Sequence, residues 1–222
     1  MRQTLYVINP NSSEAVTAGI DVAMAALRRP DGPRIECVTL ADGPPGVQTQ
    51  RDVDRAALSV YDFAQKNQGN ALGFVTACFS DPGLQMLREM KGVLSLGISE
   101  CGALTAMTLG HRFGVIAILQ GSIARHWRTW GAMGITQRVA GEVAIGRTVS
   151  ELSDQAATLT SMVAAGRRLR DEHGADVLVM GCAGMASFRA PLQDATGLPV
   201  VEPTQAAVSM ALGRIQLGWH IK

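Results

Sequence analysis

"ALGFVTACFSDPG", residues 71 to 83, decides the fold. An apolar, β-branched run stops at Cys78, and the chain then turns through Ser-Asp-Pro-Gly into the helical pattern "GLQMLREM". A short apolar run bounded by turn residues reads as a strand buried on both faces, and a helix directly behind it reads as a crossover. Buried strands joined by crossover helices build parallel sheets.

The same rhythm extends in both directions. "TLYVI", "RIECVTL" and "VLSLGI" surround the opening stretch, and "RFGVIAI", "QRVAGEVAI", "DVLVM" and "LPVVE" repeat it in the second half. The halves also share landmarks. Cys78 and Cys182 each close a third strand, Ser12 and Ser122 follow a first strand, and Glu100 and Glu202 follow a fourth, each pair roughly a hundred residues apart. The expected fold is therefore α/β with two pseudo-symmetric lobes. Each lobe is a four-stranded, mainly parallel sheet flanked by helices, with the active site in the cleft between them. The N-terminal lobe takes residues 1–99 plus 206–222, the last helix crossing back to it, and the C-terminal lobe takes 100–205.

Composition narrows the function. The 222 residues are 47% hydrophobic, enough for a sizeable core, and 20 basic against 19 acidic residues give a net charge of only +1. Without a basic block there is no phosphate-tracking surface, so a nucleic-acid partner is not expected. The N-terminus lacks a signal-peptide layout, and no apolar run approaches the roughly 20 residues of a membrane span. A cytoplasmic location is expected. Cys37, Cys78, Cys101 and Cys182 are widely spaced and form no metal-binding pattern with the histidines, so the thiols should stay free and no metal is expected. GxGxxG and GxxxxGK[ST] are absent, and with them any motif support for a nucleotide.

Ligands of open parallel sheets bind at the carboxyl ends of strands, which brings Cys78 and Cys182 to one cleft from opposite sides. A lone cysteine reads as a small buried hydrophobe; two at matched strand ends call for chemistry. Asp81 as N-cap and Pro82 in the first turn would start a helix beside Cys78, whose dipole favours the thiolate. Gly181 and Gly184 flank Cys182 and let backbone N–H groups face a ligand. One thiolate can remove a proton beside a carbonyl while the opposed thiol returns one to the other face. The enolate between the two steps needs donors, and N–H groups near Phe79, Ser80, Ala183 and Gly184 would supply them.

Further candidates are weaker. Asn9, at the end of the first strand, could bind a carbonyl or ureido group or could bond its own turn, while Asn11 with Glu14 has capping-box spacing. Gln120 and Gly121 occupy the corresponding turn of the second half. His111, His126, His173 and His220 are scattered, and His126, between Arg125 and Arg128, reads as a surface residue. The segment "TLADGPPGVQTQRDVD" could line the cleft mouth. Cys37 and Cys101 have no counterpart and read as packing.

On "INPNSS", "ACFSDPGL", "LGHRFGVI" and "GCAGM", in order over nearly the whole chain, the sequence resembles the Asp/Glu/hydantoin racemase superfamily, and within it the hydantoin and allantoin racemases. The resemblance implies two pseudo-symmetric lobes, racemisation without a cofactor, Cys78 and Cys182 as the acid/base pair, and homo-oligomers. Having both cysteines separates the chain from arylmalonate decarboxylase, which keeps only the second. One departure concerns the substrate: small hydroxyl residues are usual after the "RFGVI" strand, whereas here Ala117 and Ile118 follow it.

The leading expectation is a racemase of a small cyclic ureide, a 5-substituted hydantoin or allantoin. A maleate-type cis-trans isomerase or an Asp/Glu racemase on the same fold is the alternative, disfavoured because the quoted site segments contain no Lys or Arg. A two-lobed thiol sensor would need its cysteines within bridging distance.

Overall fold

A computed structural model describes residues 3–219; His220, Ile221 and Lys222, which include one histidine considered above and the end of the expected N-terminal lobe, lie outside the described residues, as do Met1 and Arg2. All eight expected strands form. The first sheet contains β1 (Thr4–Asn9), β2 (Arg34–Thr39), β3 (Ala71–Thr76) and β4 (Leu94–Gly97) in the order β2-β1-β3-β4. The second repeats that order as β6-β5-β7-β8, with β5 (Phe113–Ala117), β6 (Val139–Ala144), β7 (Val177–Met180) and a two-residue β8 (Val200–Val201). Every pairing is parallel. The central strands β1, β3, β5 and β7 are buried along their whole length except at Leu72, as expected where helices cover both faces of a sheet.

Helices α1 (Glu14–Ala23), α2 (Gln50–Asn67), α3 (Leu84–Glu89) and α4 (Ile98–Leu109) follow the strands of the first half, and α5 (Gln120–Met133), α6 (Gln155–Asp171), α7 (Arg189–Thr196) and α8 (Pro203–Gln216) those of the second. The two sheets are joined by α4 and α8. α4 packs on β7 and β8 as well as on α8, and α8 packs on β3 and β4. Their contact is built from small residues, Ala103 and Ala106 against Ala206, Ala207 and Ala211, which allow close approach. One apolar cluster accordingly runs from Leu5, Val75 and Leu96 in the first sheet to Val115 and Val179 in the second. The lobes share a core, so the cavity between them has fixed walls.

Helix starts depart from the sequence reading in two places. Ser13, not Asn11, caps α1, its Oγ accepting from the Val16 N–H at 3.3 Å. Asp81 does not cap α3, which is only six residues long and begins after Gly83. Its carboxylate instead accepts the N–H groups of Ser99 and Glu100, both at 2.9 Å, and so caps α4. Asp81 adopts a positive φ of 45° to do this. A Cβ on Gly97 would fall 2.2 Å from the Asp81 Cγ, so that position must be glycine. Glu202 performs the same service for α8, accepting from Thr204 and Gln205. Glu100 is therefore not the counterpart of Glu202. It forms a partly exposed ion pair with Arg88 at 2.6 Å.

Candidate active site

The carboxyl ends of six strands converge on one cavity. Asn11 comes from behind β1, Val47 and Gln48 from behind β2, and Ala77 to Ser80 from β3. The other lobe supplies Ile118 and Leu119 after β5, Val149 after β6, Gly181 to Gly184 after β7, and Ser122, Arg125 and His126 from α5. About 510 Å³ between these walls is free of protein atoms, and Cys78 and Cys182 are each partly exposed to it. The space is narrow, as a site for a small planar ring would be.

Cys78 and Cys182 both line it. Each sulfur accepts a backbone N–H from the residue two positions on, Ser80 for Cys78 and Gly184 for Cys182. Those bonds favour thiolate, as does Arg125 near Cys78, yet burial is the larger influence. It pushes the Cys78 thiol up to about 12 and the Cys182 thiol up to about 11. The expectation of a dipole-stabilised thiolate is thus reversed: α3 starts too late to serve Cys78, and desolvation disfavours the charged form. Charge on Cys182 further raises Cys78, so the pair yields one proton much more readily than two.

Of the other candidates, Phe79, Ser80, Ala183 and Gly184 line the cavity. Asn9 does not. It is fully buried, and its amide is committed to Asn11, Ser13 and Thr17, so it organises the β1–α1 turn. Asn11 is the residue on the wall; its Oδ1 is occupied by Asn9 and the Ser13 N–H, which leaves its Nδ2 without a protein acceptor. Gln120 and Gly121 are exposed and outside the lining. The β2–α2 segment contributes Val47 and Gln48, and the Thr49–Asp52 capping box fixes where α2 begins beside them. Cys101 is buried in the core, and Cys37 packs against it with a thiol pushed up to about 12, chiefly by burial.

Three site residues escaped the sequence reading. His126 is buried, not on the surface. Its Nδ1 meets the Glu142 carboxylate, which is also buried, and its ring stands edge-on to Phe79 with centroids 5.1 Å apart. Arg125 brings a guanidinium to the cavity. Its Nη groups donate to the Gln48 and Gly121 carbonyls, while its Nε is buried without a partner. The signal was present in "VAGEVA": a glutamate inside a strand covered on both faces requires a buried partner. Among the described residues no group of three His, Cys, Asp or Glu side chains is placed to hold a metal, and no helix is long and apolar enough to cross a membrane.

Fold and cavity together define a two-lobed, parallel α/β protein with one thiol from each lobe on a shared wall. The chain belongs to the Asp/Glu/hydantoin racemase family, which matches it over residues 5–211, and is an isomerase of the racemase class. It is 31% identical over 220 residues to a hydantoin racemase of Rhizobium meliloti, spanning 97% of this chain and 90% of that one. A hydantoin racemase of Pseudomonas sp. strain NS671 is 30% identical over 216 residues, 96% of this chain and 86% of the relative. Among solved structures, allantoin racemase from Pseudomonas fluorescens superposes with a TM-score of 0.92 at 28% identity, covering 99% of this chain and 93% of that one.

Proposed function

We propose that the protein racemises a small five-membered cyclic ureide, a 5-substituted hydantoin or allantoin, with Cys78 and Cys182 as its acid/base pair. The observation that carries the reading is that sulfurs from equivalent strand ends of the two lobes line one narrow cavity. The ring α-proton of such a ureide is flanked by a carbonyl and a nitrogen. The ionised sulfur removes it from one face, and the S–H bond of the other delivers a proton to the opposite face. The mutual Coulomb effect keeps one sulfur protonated while the other is charged, which is the state this exchange requires. Developing oxyanion charge has the Asn11 Nδ2 and the Arg125 guanidinium within the same wall, and donors fixed in position act strongly on such charge.

Optical rotation followed with L-5-methylhydantoin, L-5-benzylhydantoin and allantoin in parallel tests the substrate. The narrow cavity favours the first and third over the benzyl compound. Cys78→Ser and Cys182→Ser should each lower racemisation about 10²- to 10⁴-fold, while one of them still exchanges the α-proton of one enantiomer with solvent deuterium. Full racemisation by both single variants would discard the mechanism.

Arg125 keeps a second reading in play. The sequence argument against a dicarboxylate was the lack of a cation at the site, and Arg125 supplies one. A maleate-type isomerase would use one sulfur as a nucleophile toward the double bond, so incubation with maleate should then add its mass to a cysteine.

A further inference from the structure

The scheme above makes no use of the buried His126–Glu142 pair. Glu142 comes from β6 and His126 from α5, and both side chains are almost fully buried. The ring Nδ1–H donates to the Glu142 carboxylate, so the neutral imidazole carries its lone pair on Nε2. Nε2 has no hydrogen-bond partner among the described residues, and His126 lines the cavity that holds both sulfurs. Its ring stands edge-on to Phe79, the residue after Cys78. An acceptor on a buried ring with no protein partner calls for a donor from the ligand.

Much of the remaining wall consists of donors and of acceptors already spent. Arg125 and Asn11 present N–H groups. The Asn11 Oδ1 accepts from Asn9 and Ser13, the Gln48 carbonyl from Arg125, and the Leu119 carbonyl from Ser122. The side chains of Ser80 and Gln48 also line the cavity, but a hydroxyl or an amide turns to donate or accept and so selects neither. An imidazole with a fixed tautomer does select. A cyclic ureide brings carbonyls that suit the donors and N–H groups that need acceptors. Its reacting carbon, C5, has two polar ring neighbours, the C4 carbonyl and N1–H. With C5 between the sulfurs, N1–H lies one bond from the reacting centre, where the wall around the thiols must meet it.

We propose that His126, its tautomer set by Glu142, is a specificity-determining residue that accepts the N1–H of the ureide through Nε2. The inference rests on the cyclic-ureide reading and deepens it. The site selects rings with an N–H beside the reacting carbon, as in hydantoins and allantoin, over rings of the same shape with oxygen there. In the latter, two lone pairs would face each other and Nε2 would stay unpaired. A pocket built to bond an N–H discriminates strongly against a ligand that lacks it.

The test compares kcat/KM, followed by optical rotation, for L-5-methylhydantoin and for the 5-methyloxazolidine-2,4-dione of the same hand, in which a ring oxygen replaces N1–H. Both are measured in the wild-type chain and in His126→Phe. The ratio of hydantoin to oxygen ring should fall about ten- to hundredfold in the variant, mainly through a higher KM for the hydantoin. Comparing the ratio between the two proteins cancels the different intrinsic acidities of the two rings. Equal loss on both rings, which a merely structural histidine would give, overturns the inference. His126→Phe leaves the Glu142 carboxylate without its donor; if that variant does not fold, His126→Phe combined with Glu142→Leu is read in the same way. A wild-type chain inert on the hydantoin overturns the ureide reading and this inference together. One that racemises the hydantoin, with the same ratio in the variant, overturns this inference alone.

Discussion

Cys78 and Cys182 end equivalent strands and accept equivalent N–H groups, yet the walls facing them differ. The seventh residue of α5 is His126, whereas the seventh of α1 is Ile20, fully buried. The fourth residue of β6 is Glu142 and the fourth of β2 is Cys37. Arg125 in α5 faces Gly19 in α1 across the same comparison. The half-site of Cys78 therefore holds a guanidinium and an imidazole–carboxylate pair, whereas the side chains lining the cavity beside Cys182 are apolar and the charge acting on its thiol is the Glu202 carboxylate, which raises it. Repetition of the βα series accounts for where the sulfurs stand, and the residues that break the repeat account for how each one handles a proton. In the proposed mechanism the two sulfurs are matched in position and the reactive form has one ionised and the other protonated, a difference that an asymmetric surround favours.

Titration gives the largest test of that bias. Both thiols are raised by burial, Cys182 to about 11 and Cys78 to about 12. At neutral pH both are therefore mostly protonated, and the thiolate fraction rises about tenfold for each pH unit below the pKa. Racemisation should climb about a hundredfold from pH 7 to pH 9. Site-resolved alkylation should show the Cys182 profile rising at lower pH than that of Cys78. Folding linkage runs the other way: thiols whose folded pKa exceeds the ordinary 9.0 cost stability once pH passes about 9, because the unfolded chain ionises first. A flat activity profile, or Cys78 reacting at the lower pH, would break the comparison.

Arg125 offers the next test. It is the cation that lowers Cys78, and it has no counterpart beside Cys182. Arg125→Met should move the Cys78 profile to higher pH, leaving less thiolate at fixed pH. Cys182 should be unmoved, and Arg125→Lys should restore most of the effect. Because Arg125 also holds the Gln48 carbonyl at 2.9 Å, the lysine variant separates charge from loop positioning. Equal shifts at both cysteines would mean that the field is shared across the cavity and the half-sites are not distinct.

The legible and illegible parts of the sequence divide along the same line. Buried parallel strands need continuous apolar runs, so the central strands announced themselves, the partly exposed edge strands β2 and β6 showed weaker runs in the same rhythm, and a cysteine at the end of such a run is visible without coordinates. The partners of Asn9 lie in the turn that follows it, and that turn has no sequence signature strong enough to show the amide already spent. Asp81 looked local because caps usually are; it reaches α4, 18 residues away in the chain, only because β3 and β4 lie side by side. The burial of His126 depends on Phe79, which packs on it from the other lobe, a contact that no local pattern encodes, beside Trp130 one turn further along its own helix. Glu142 was the one clue, a charge in the middle of a covered strand.

The apolar half-site gives the smallest and most specific test. Val16 of α1 lies against the Gly184 turn, its Cγ2 3.7 Å from where a Cβ on Gly184 would stand, and that Cβ would also lie 3.6 Å from the Cys182 sulfur. The two positions therefore set the width of the cavity beside Cys182 in opposite senses. Val16→Ala removes two methyl groups and should raise kcat/KM for 5-benzylhydantoin relative to 5-methylhydantoin by up to about tenfold, the low end of what a methylene-sized change in an apolar pocket gives. Gly184→Ala should move the ratio the other way, with Leu152 giving way by a few tenths of an ångström because its Cδ1 would sit 3.1 Å from the new methyl. Val16→Ala leaves every titratable group and the Gly184 N–H to the Cys182 sulfur in place, so the pH profile of racemisation should keep its shape in that variant. A changed profile would mean that the apolar wall also governs the Cys182 proton, and that the division between a side that binds the ring substituent and a side that manages charge is drawn in the wrong place.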